Sequence, residues 1–172
     1  MATLNINKNT VMSDLIAAYP GARRALFKGF HVGGCQSCGF AETDTITDVA
    51  TKHDKDAQAM VSYIQDAHQR EAALLISPQD ALAMFRNGSG SRMIDLRSPG
   101  EYEASHIEGA EPISESFAEE IMTWPKDSSI ILYCQDGQGS MNAAAYMSDY
   151  GFTRVQCVDG GYPALAAAHG AA

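Results

Sequence analysis

The chain has 172 residues, 45% hydrophobic and 19% charged, which suits one full domain with room for a small second one and excludes a disordered chain. The formal net charge of -9 excludes the basic surface that nucleic-acid binding requires. No apolar stretch reaches the length of a membrane span, and Met1-Ala-Thr-Leu-Asn-Ile-Asn-Lys8 lacks the apolar segment of a signal peptide, so a cytoplasmic protein with no membrane partner is expected.

Leu4 to Ile6 has the alternation of a short edge strand. Helical spacing begins near Thr10, with Val11, Leu15, Ile16 and Tyr19, and Pro20-Gly21 ends it. A second short helix covers Ala22 to Lys28, with Gly29 as its cap. His31-Val-Gly-Gly-Cys-Gln-Ser-Cys-Gly39 follows, a loop with Cys35 and Cys38 in C-x-x-C spacing. Thr45-Ile-Thr-Asp48 has the form of a capping box and opens a helix to about His53. Asp54-Lys-Asp56 breaks it. A longer helix from Asp56 to Glu71 places Met60, Ile64 and Ala67 on one face. Residues 1–72 therefore predict a small, mostly α-helical domain.

The pattern changes after Leu74. Leu75-Ile76 is a short strand, and Ser77-Pro-Gln-Asp80 is a capping box with proline at the first helical position, opening a helix to about Asn87. Met93 to Leu96 is a strand, Ser98-Pro99 starts a brief helix, and Glu111 to Ile113 is a strand. Phe117 to Met122 is helical until Trp124-Pro125 stops it. Ile130-Ile-Leu-Tyr133 reads as a buried parallel strand. The helix after it offers Met141, Ala144, Ala145 and Met147 to a core. Arg154 to Val158 is a further strand, Asp159-Gly-Gly161 turns, and Pro163 to Ala168 is helical. Strands alternating with helices predict an α/β domain over 73–172, a parallel sheet with helices on both faces.

Between strand and helix lies Cys134-Gln-Asp-Gly-Gln-Gly-Ser140. Gly137 and Gly139 let the backbone curl so that successive N–H groups point inward, and the helix N-terminus adds its positive end. A cysteine at the mouth of such a loop is favoured as thiolate, and an anion on it is held by backbone donors. The other reading of Cys134 is a buried structural cysteine. Four cysteines in a reducing compartment point to thiol chemistry or metal binding, not to a disulfide framework.

Upstream lie Ile94-Asp-Leu-Arg97, Glu101-Tyr102 and Ser105-His-Ile-Glu-Gly-Ala110; downstream lies Val158-Asp-Gly-Gly161. These motifs, in this order around the Cys loop, resemble a rhodanese domain over about residues 74–170. The resemblance implies a sulfurtransferase that forms a persulfide on Cys134, held by the loop residues Gln135, Asp136, Gly137, Gln138, Gly139 and Ser140. A sulfane-sulfur donor, small or protein-borne, and a thiol or other nucleophilic acceptor are the implied partners, with no cofactor and no metal. Asp95 and Arg97 read as a charged network tying loops together. His106 reads as packing and hydrogen-bonding a turn, Asp159 as capping the turn before Gly160, and Cys157 as a core residue. Two departures stand out. The loop carries no cation and one acid, Asp136, where many rhodaneses carry arginine or lysine, and Ser105 stands in place of the family's usual glycine before His106.

In the first half, Tyr19-Pro20, Phe27-Lys-Gly-Phe-His31 and Gly34-Cys-Gln-Ser-Cys38 resemble the small hybrid-cluster-associated redox-disulfide domain. That resemblance implies a thiol role for Cys35 and Cys38, and the C-x-x-C spacing suits them to accept sulfur from Cys134 or to act as a redox pair. Two other readings of the chain stay open: a non-catalytic redox sensor or sulfur-carrier module, and a metal site at Cys35 and Cys38, which two cysteines alone only half complete.

Overall fold

The computed structural model describes residues 4–33, 39–88 and 90–170, and the chain divides into two units, residues 1–73 and 74–172. The first unit is helical: α1 (Met12–Ala18), α2 (Ala22–Phe30), α3 (Ile46–Lys52) and α4 (Ala57–Ala72). Its core gathers Met12, Leu15, Leu26, Ile46, Met60 and Ile64, all almost fully buried. The Thr45 box forms as the sequence predicts. The Thr45 hydroxyl accepts the Asp48 N–H at 3.1 Å, and the Asp48 carboxylate accepts the Thr45 N–H at 2.9 Å. The Thr45 side chain, then its backbone N–H, hold the Asp48 carboxyl below its ordinary value. Asp56 caps α4 by accepting the Ala59 N–H at 2.6 Å.

Two expectations fail in this unit. Leu4 and Ile6 are buried in the helical core, but their backbone forms no strand. Their alternation serves side-chain burial alone. Gly29 does not cap α2, which continues to Phe30 and ends on His31 in the left-handed conformation (φ 57°). A Cβ on Gly29 would stand 2.7 Å from the Tyr63 ring, so this glycine serves the packing of α2 on α4.

The second unit carries β1 (Leu75–Ile76), α5 (Pro78–Arg86), β2 (Arg92–Asp95), α6 (Pro99–Ala104), β3 (Glu111–Pro112), α7 (Glu115–Met122), β4 (Ile130–Tyr133), α8 (Gln138–Asp149), β5 (Val155–Val158) and α9 (Gly161–Gly170). The strands form one parallel sheet in the order β1-β5-β4-β2-β3, the α/β architecture that the alternating pattern predicts. Strand β4 lies in the middle, and all four of its residues are buried. Period-two alternation splits its side chains between two cores. Ile131 and Tyr133 join Ala81, Leu82, Met93, Val158 and Leu165, the layer supplied by α5 and α9. Ile130 and Leu132 join Ile94, Ile121, Ala144, Met147 and Val155, the layer supplied by α7 and α8.

The caps in this unit are short-range. Ser98 and Glu101 close a full box on α6. Ser77 accepts the Asp80 N–H at 3.1 Å, but Asp80 answers through the Ser77 hydroxyl and not through its backbone N–H, so only half the expected box forms. Helix α7 starts earlier than Phe117 because Ser114 caps it, its hydroxyl accepting the Phe117 N–H at 3.1 Å. Strand order reverses between β2 and β4, since β3 lies beyond β2 while β5 and β1 lie beyond β4. In open parallel sheets such a reversal, at the C-terminal ends of the strands, is the usual ligand position. Arg97 leaves one strand and Cys134 the other. Among the described residues no helix is long and apolar enough to cross a membrane.

Candidate active site

The loop after β4 turns through Gly137, the residue before α8, in the left-handed conformation (φ 83°). That reversal brings the first turn of α8 back over the cysteine. The Ser140 N–H donates to Cys134 Sγ at 3.2 Å, and the Ser140 hydroxyl lies 3.5 Å from the same sulfur while donating to the Gly137 carbonyl at 3.1 Å. A Cβ on Gly139 would come within 3.4 Å of Sγ, so the glycine leaves room beside the sulfur. Cys134 is 7% exposed, and Ser140 is fully buried. The sulfur thus sits at the positive end of α8 with a backbone donor aimed at it.

The loop is not an open ring of donors. Asp136 Oδ1 accepts the Gln138 N–H at 2.9 Å and lies 3.5 Å from Cys134 Sγ. The Gln138 N–H, then the Cys134 thiol, hold the Asp136 carboxyl below its ordinary value of 3.8. Asp136 itself is exposed, as are Gln135 and Gln138. One of the expected anion donors is therefore taken by a side chain of the loop itself.

The expected charged network lies beneath. Asp95 and Arg97 are 0% and 8% exposed. Arg97 donates to Asp95 through Nε at 3.0 Å and Nη2 at 2.6 Å, and its N–H donates to the same carboxylate at 2.9 Å. Burial opposes the charge on Arg97, but its hydrogen bond and attraction to Asp95 outweigh this and raise its pKa. Arg97 also donates to the Ser105 carbonyl at 2.7 Å and lies 3.5 Å from the centre of the Tyr162 ring. Burial first, then the Asp95 carboxylate, push the Tyr133 phenol up.

Tyr162 is the residue that sequence reasoning missed. Its N–H donates to the Cys134 carbonyl at 2.8 Å, its hydroxyl contacts that of Ser105, and its ring stacks on Tyr133. It ties the Cys134 backbone to the Asp95–Arg97 pair. An aromatic after Gly-Gly at a helix start carries no local signal of this role. Gly161 permits the contact: a Cβ there would meet the Gln135 carbonyl oxygen at 2.6 Å and the Cys134 carbonyl oxygen at 2.8 Å.

His106 donates from Nδ1 to the Tyr102 carbonyl at 2.9 Å and stacks on the Tyr102 ring at 4.0 Å, the turn-holding arrangement expected of it. Asp159 departs from expectation. Its side chain is exposed, and the bond that the structure shows is from its backbone N–H to the Ile76 carbonyl at 3.0 Å. The residue after the turn, Tyr162, is held by its N–H to the Cys134 carbonyl. Cys157 is fully buried in the sheet, its sulfur 3.9 Å from Met141 Sδ. Cys35 and Cys38 lie outside the described residues.

The same stretch matches known proteins. Residues 77–168, more than half the chain, match the family model of the rhodanese-like domain. The chain is 38% identical over 88 residues to a thiosulfate sulfurtransferase GlpE of Pseudomonas entomophila, covering 51% of this chain and 79% of that protein. It is 40% identical over 76 residues to the GlpE of Pseudoalteromonas translucida, covering 44% and 72%. A rhodanese-like domain protein of Staphylococcus aureus aligns in structure with a TM-score of 0.46 at 20% identity, over 53% of this chain and 89% of that one. The family match and the GlpE identities fall on the unit that holds the thiol loop at the sheet's switch point, and by them the chain belongs to the rhodanese-like family as a rhodanese-type sulfurtransferase.

Proposed function

We propose that Cys134 carries sulfur as a persulfide between a sulfane donor and a nucleophilic acceptor. The Cys134 thiolate attacks the outer sulfur of the donor. The new S–S bond forms at Sγ while the donor's S–S bond breaks, and the leaving group departs with the electron pair. With thiosulfate, the substrate in the relatives' names, sulfite leaves. The acceptor then attacks the outer sulfur of the persulfide, and the Cys134 thiolate returns. No group need gain or lose a proton in either displacement, so the loop serves by electrostatic preorganisation and not as a general base. The observation that carries the reading is the 3.2 Å contact from the Ser140 N–H to Cys134 Sγ at the start of α8. The space kept by Gly139 supports it, since an outer sulfur must fit beside Sγ.

The same reading takes Cys35 and Cys38 as acceptors. The Cys35 thiolate removes the outer sulfur from Cys134; the Cys38 thiolate then attacks Cys35, closing a disulfide and releasing sulfide. The sulfane sulfur is reduced and the cysteine pair oxidised, and a dithiol reductant restores the pair. What supports this is the C-x-x-C spacing and the covalent link between the two units, which gives a tethered thiol that can reach Cys134 an effective concentration of about millimolar.

Cys134→Ser tests the reading. Serine is close to cysteine in size and far less nucleophilic at neutral pH. The wild type is expected to gain one sulfur atom in intact mass after exposure to donor and to convert cyanide to thiocyanate; the variant is expected to do neither. Thiocyanate formation by Cys134→Ser would place the nucleophile elsewhere.

A further inference from the structure

We infer that Asp136 selects donors by charge, so that this enzyme uses singly charged sulfane donors in preference to the thiosulfate dianion. The inference rests on the Cys134 persulfide reading and deepens it. The carboxylate of Asp136 is 3.5 Å from Cys134 Sγ and accepts the Gln138 N–H at 2.9 Å. It therefore stands beside the point of attack and holds a donor group at the start of α8 that an incoming anion would otherwise take. No opposite charge balances it within the loop, whose residues are Gln135, Asp136, Gly137, Gln138, Gly139 and Ser140. The cation tied to the loop from below, Arg97, is 8% exposed and engaged by Asp95, the Ser105 carbonyl and the Tyr162 ring. The chain as a whole carries a net charge of -9.

A donor must bring its outer sulfur into bonding contact with Sγ, 3.5 Å from Asp136 Oδ1, which brings its charged head to within the screening length at physiological salt, about 8 Å, of that carboxylate. Each extra negative charge on that head then meets one more unit of repulsion. The carboxylate is exposed, so solvent reduces the effect without removing it.

Thiosulfate and methanethiosulfonate form a matched pair of probes. Both present the same outer sulfur, and a methyl group in the second replaces one charged oxygen of the first. Attack by the Cys134 thiolate gives the same persulfide, with sulfite leaving from one and methanesulfinate from the other. Asp136→Asn keeps the size and a side-chain oxygen for the Gln138 N–H and removes the charge. Its kcat/KM for thiosulfate is expected to rise about five- to tenfold more than its kcat/KM for methanethiosulfonate. Any change in thiol reactivity is common to both donors and cancels in this ratio. The excess is expected to shrink as salt is added, and Asp136→Ser, which keeps a capping oxygen, is expected to shift the ratio the same way. An equal factor for the two donors at low salt overturns the inference and leaves the persulfide reading standing. If neither donor adds sulfur to wild-type Cys134 by mass, the persulfide reading falls and the inference falls with it.

Discussion

Gly161→Ala is expected to damage both the stability of the second unit and the loading of Cys134, and the structure sets the size of the effect. Gly161 has φ +64°, where an L-residue costs about 1–2 kcal/mol. Its new methyl would also stand 2.6 Å from the Gln135 carbonyl oxygen, 0.8 Å short of the 3.4 Å at which ordinary contact begins. The obstacle is backbone, not the end of a flexible side chain, so the Cys loop must move. Forced repacking of this kind adds about 1–3 kcal/mol, for a total of about 2–5 kcal/mol. Gly88→Ala is the control. Gly88 has φ +71° and open space where a Cβ would be, so it carries the backbone cost of about 1–2 kcal/mol alone. The gain from restricting the unfolded chain is the same in both and cancels. Trp124, the single tryptophan, lies in the second unit with the Arg92 guanidinium over its ring, so its fluorescence in urea reports on that unit. A shift of the loop also breaks the 2.8 Å bond from the Tyr162 N–H to the Cys134 carbonyl, and sulfur loading of Gly161→Ala is expected to slow by tenfold to a hundredfold, on the order of what sub-ångström to ångström misplacement costs. Stabilities of the two variants equal to within about 0.5 kcal/mol would refute the close-approach argument.

Arg97→Met is expected to destabilise the second unit by about 3–5 kcal/mol, because it leaves the fully buried Asp95 carboxylate without its partner. Asp95→Asn with Arg97→Met should cost less in the same urea titration, and a double variant as unstable as the single one would count against the charge argument. For the relay, Cys134 is loaded and free donor removed. The wild type is then expected to release sulfide and gain a Cys35–Cys38 disulfide by mass spectrometry, while Cys35→Ser/Cys38→Ser holds its persulfide. Discharge at the same rate in both proteins, without external thiol, rules the relay out.

What was legible in the sequence is what a few consecutive residues decide. Thr45 with Asp48, Ser98 before Pro99 and Ser77 before Pro78 are local helix-start signals, and each opens the helix that it predicts. Ile130 to Tyr133 is an unbroken apolar run because a central parallel strand is covered on both faces, and Cys134 is the first residue of the short glycine-containing loop that leads from it into α8. What was not legible depends on neighbours far along the chain. Asp136 is one acid in an exposed loop until the fold turns its carboxylate onto the Gln138 N–H and toward Sγ. Tyr162 is one aromatic among several until its N–H reaches the Cys134 carbonyl. Three glycines make the point most plainly. Gly29, Gly88 and Gly161 each stand where a sequence reader sees a helix stop or a turn. Gly88 meets nothing and is left-handed after a helix; Gly29 sits inside a helix to admit the Tyr63 ring; Gly161 admits the carbonyl oxygens of Cys134 and Gln135. Glycine in a sequence announces that a side chain is missing, and only the fold says whether the chain needed the torsion or the space. In the thiol loop it needed both. Gly137 supplies the torsion that returns α8 to the sulfur, and Gly139 and Gly161 supply the space on either side of Cys134, which is why the geometry of this site is set by residues that contribute no functional group to it.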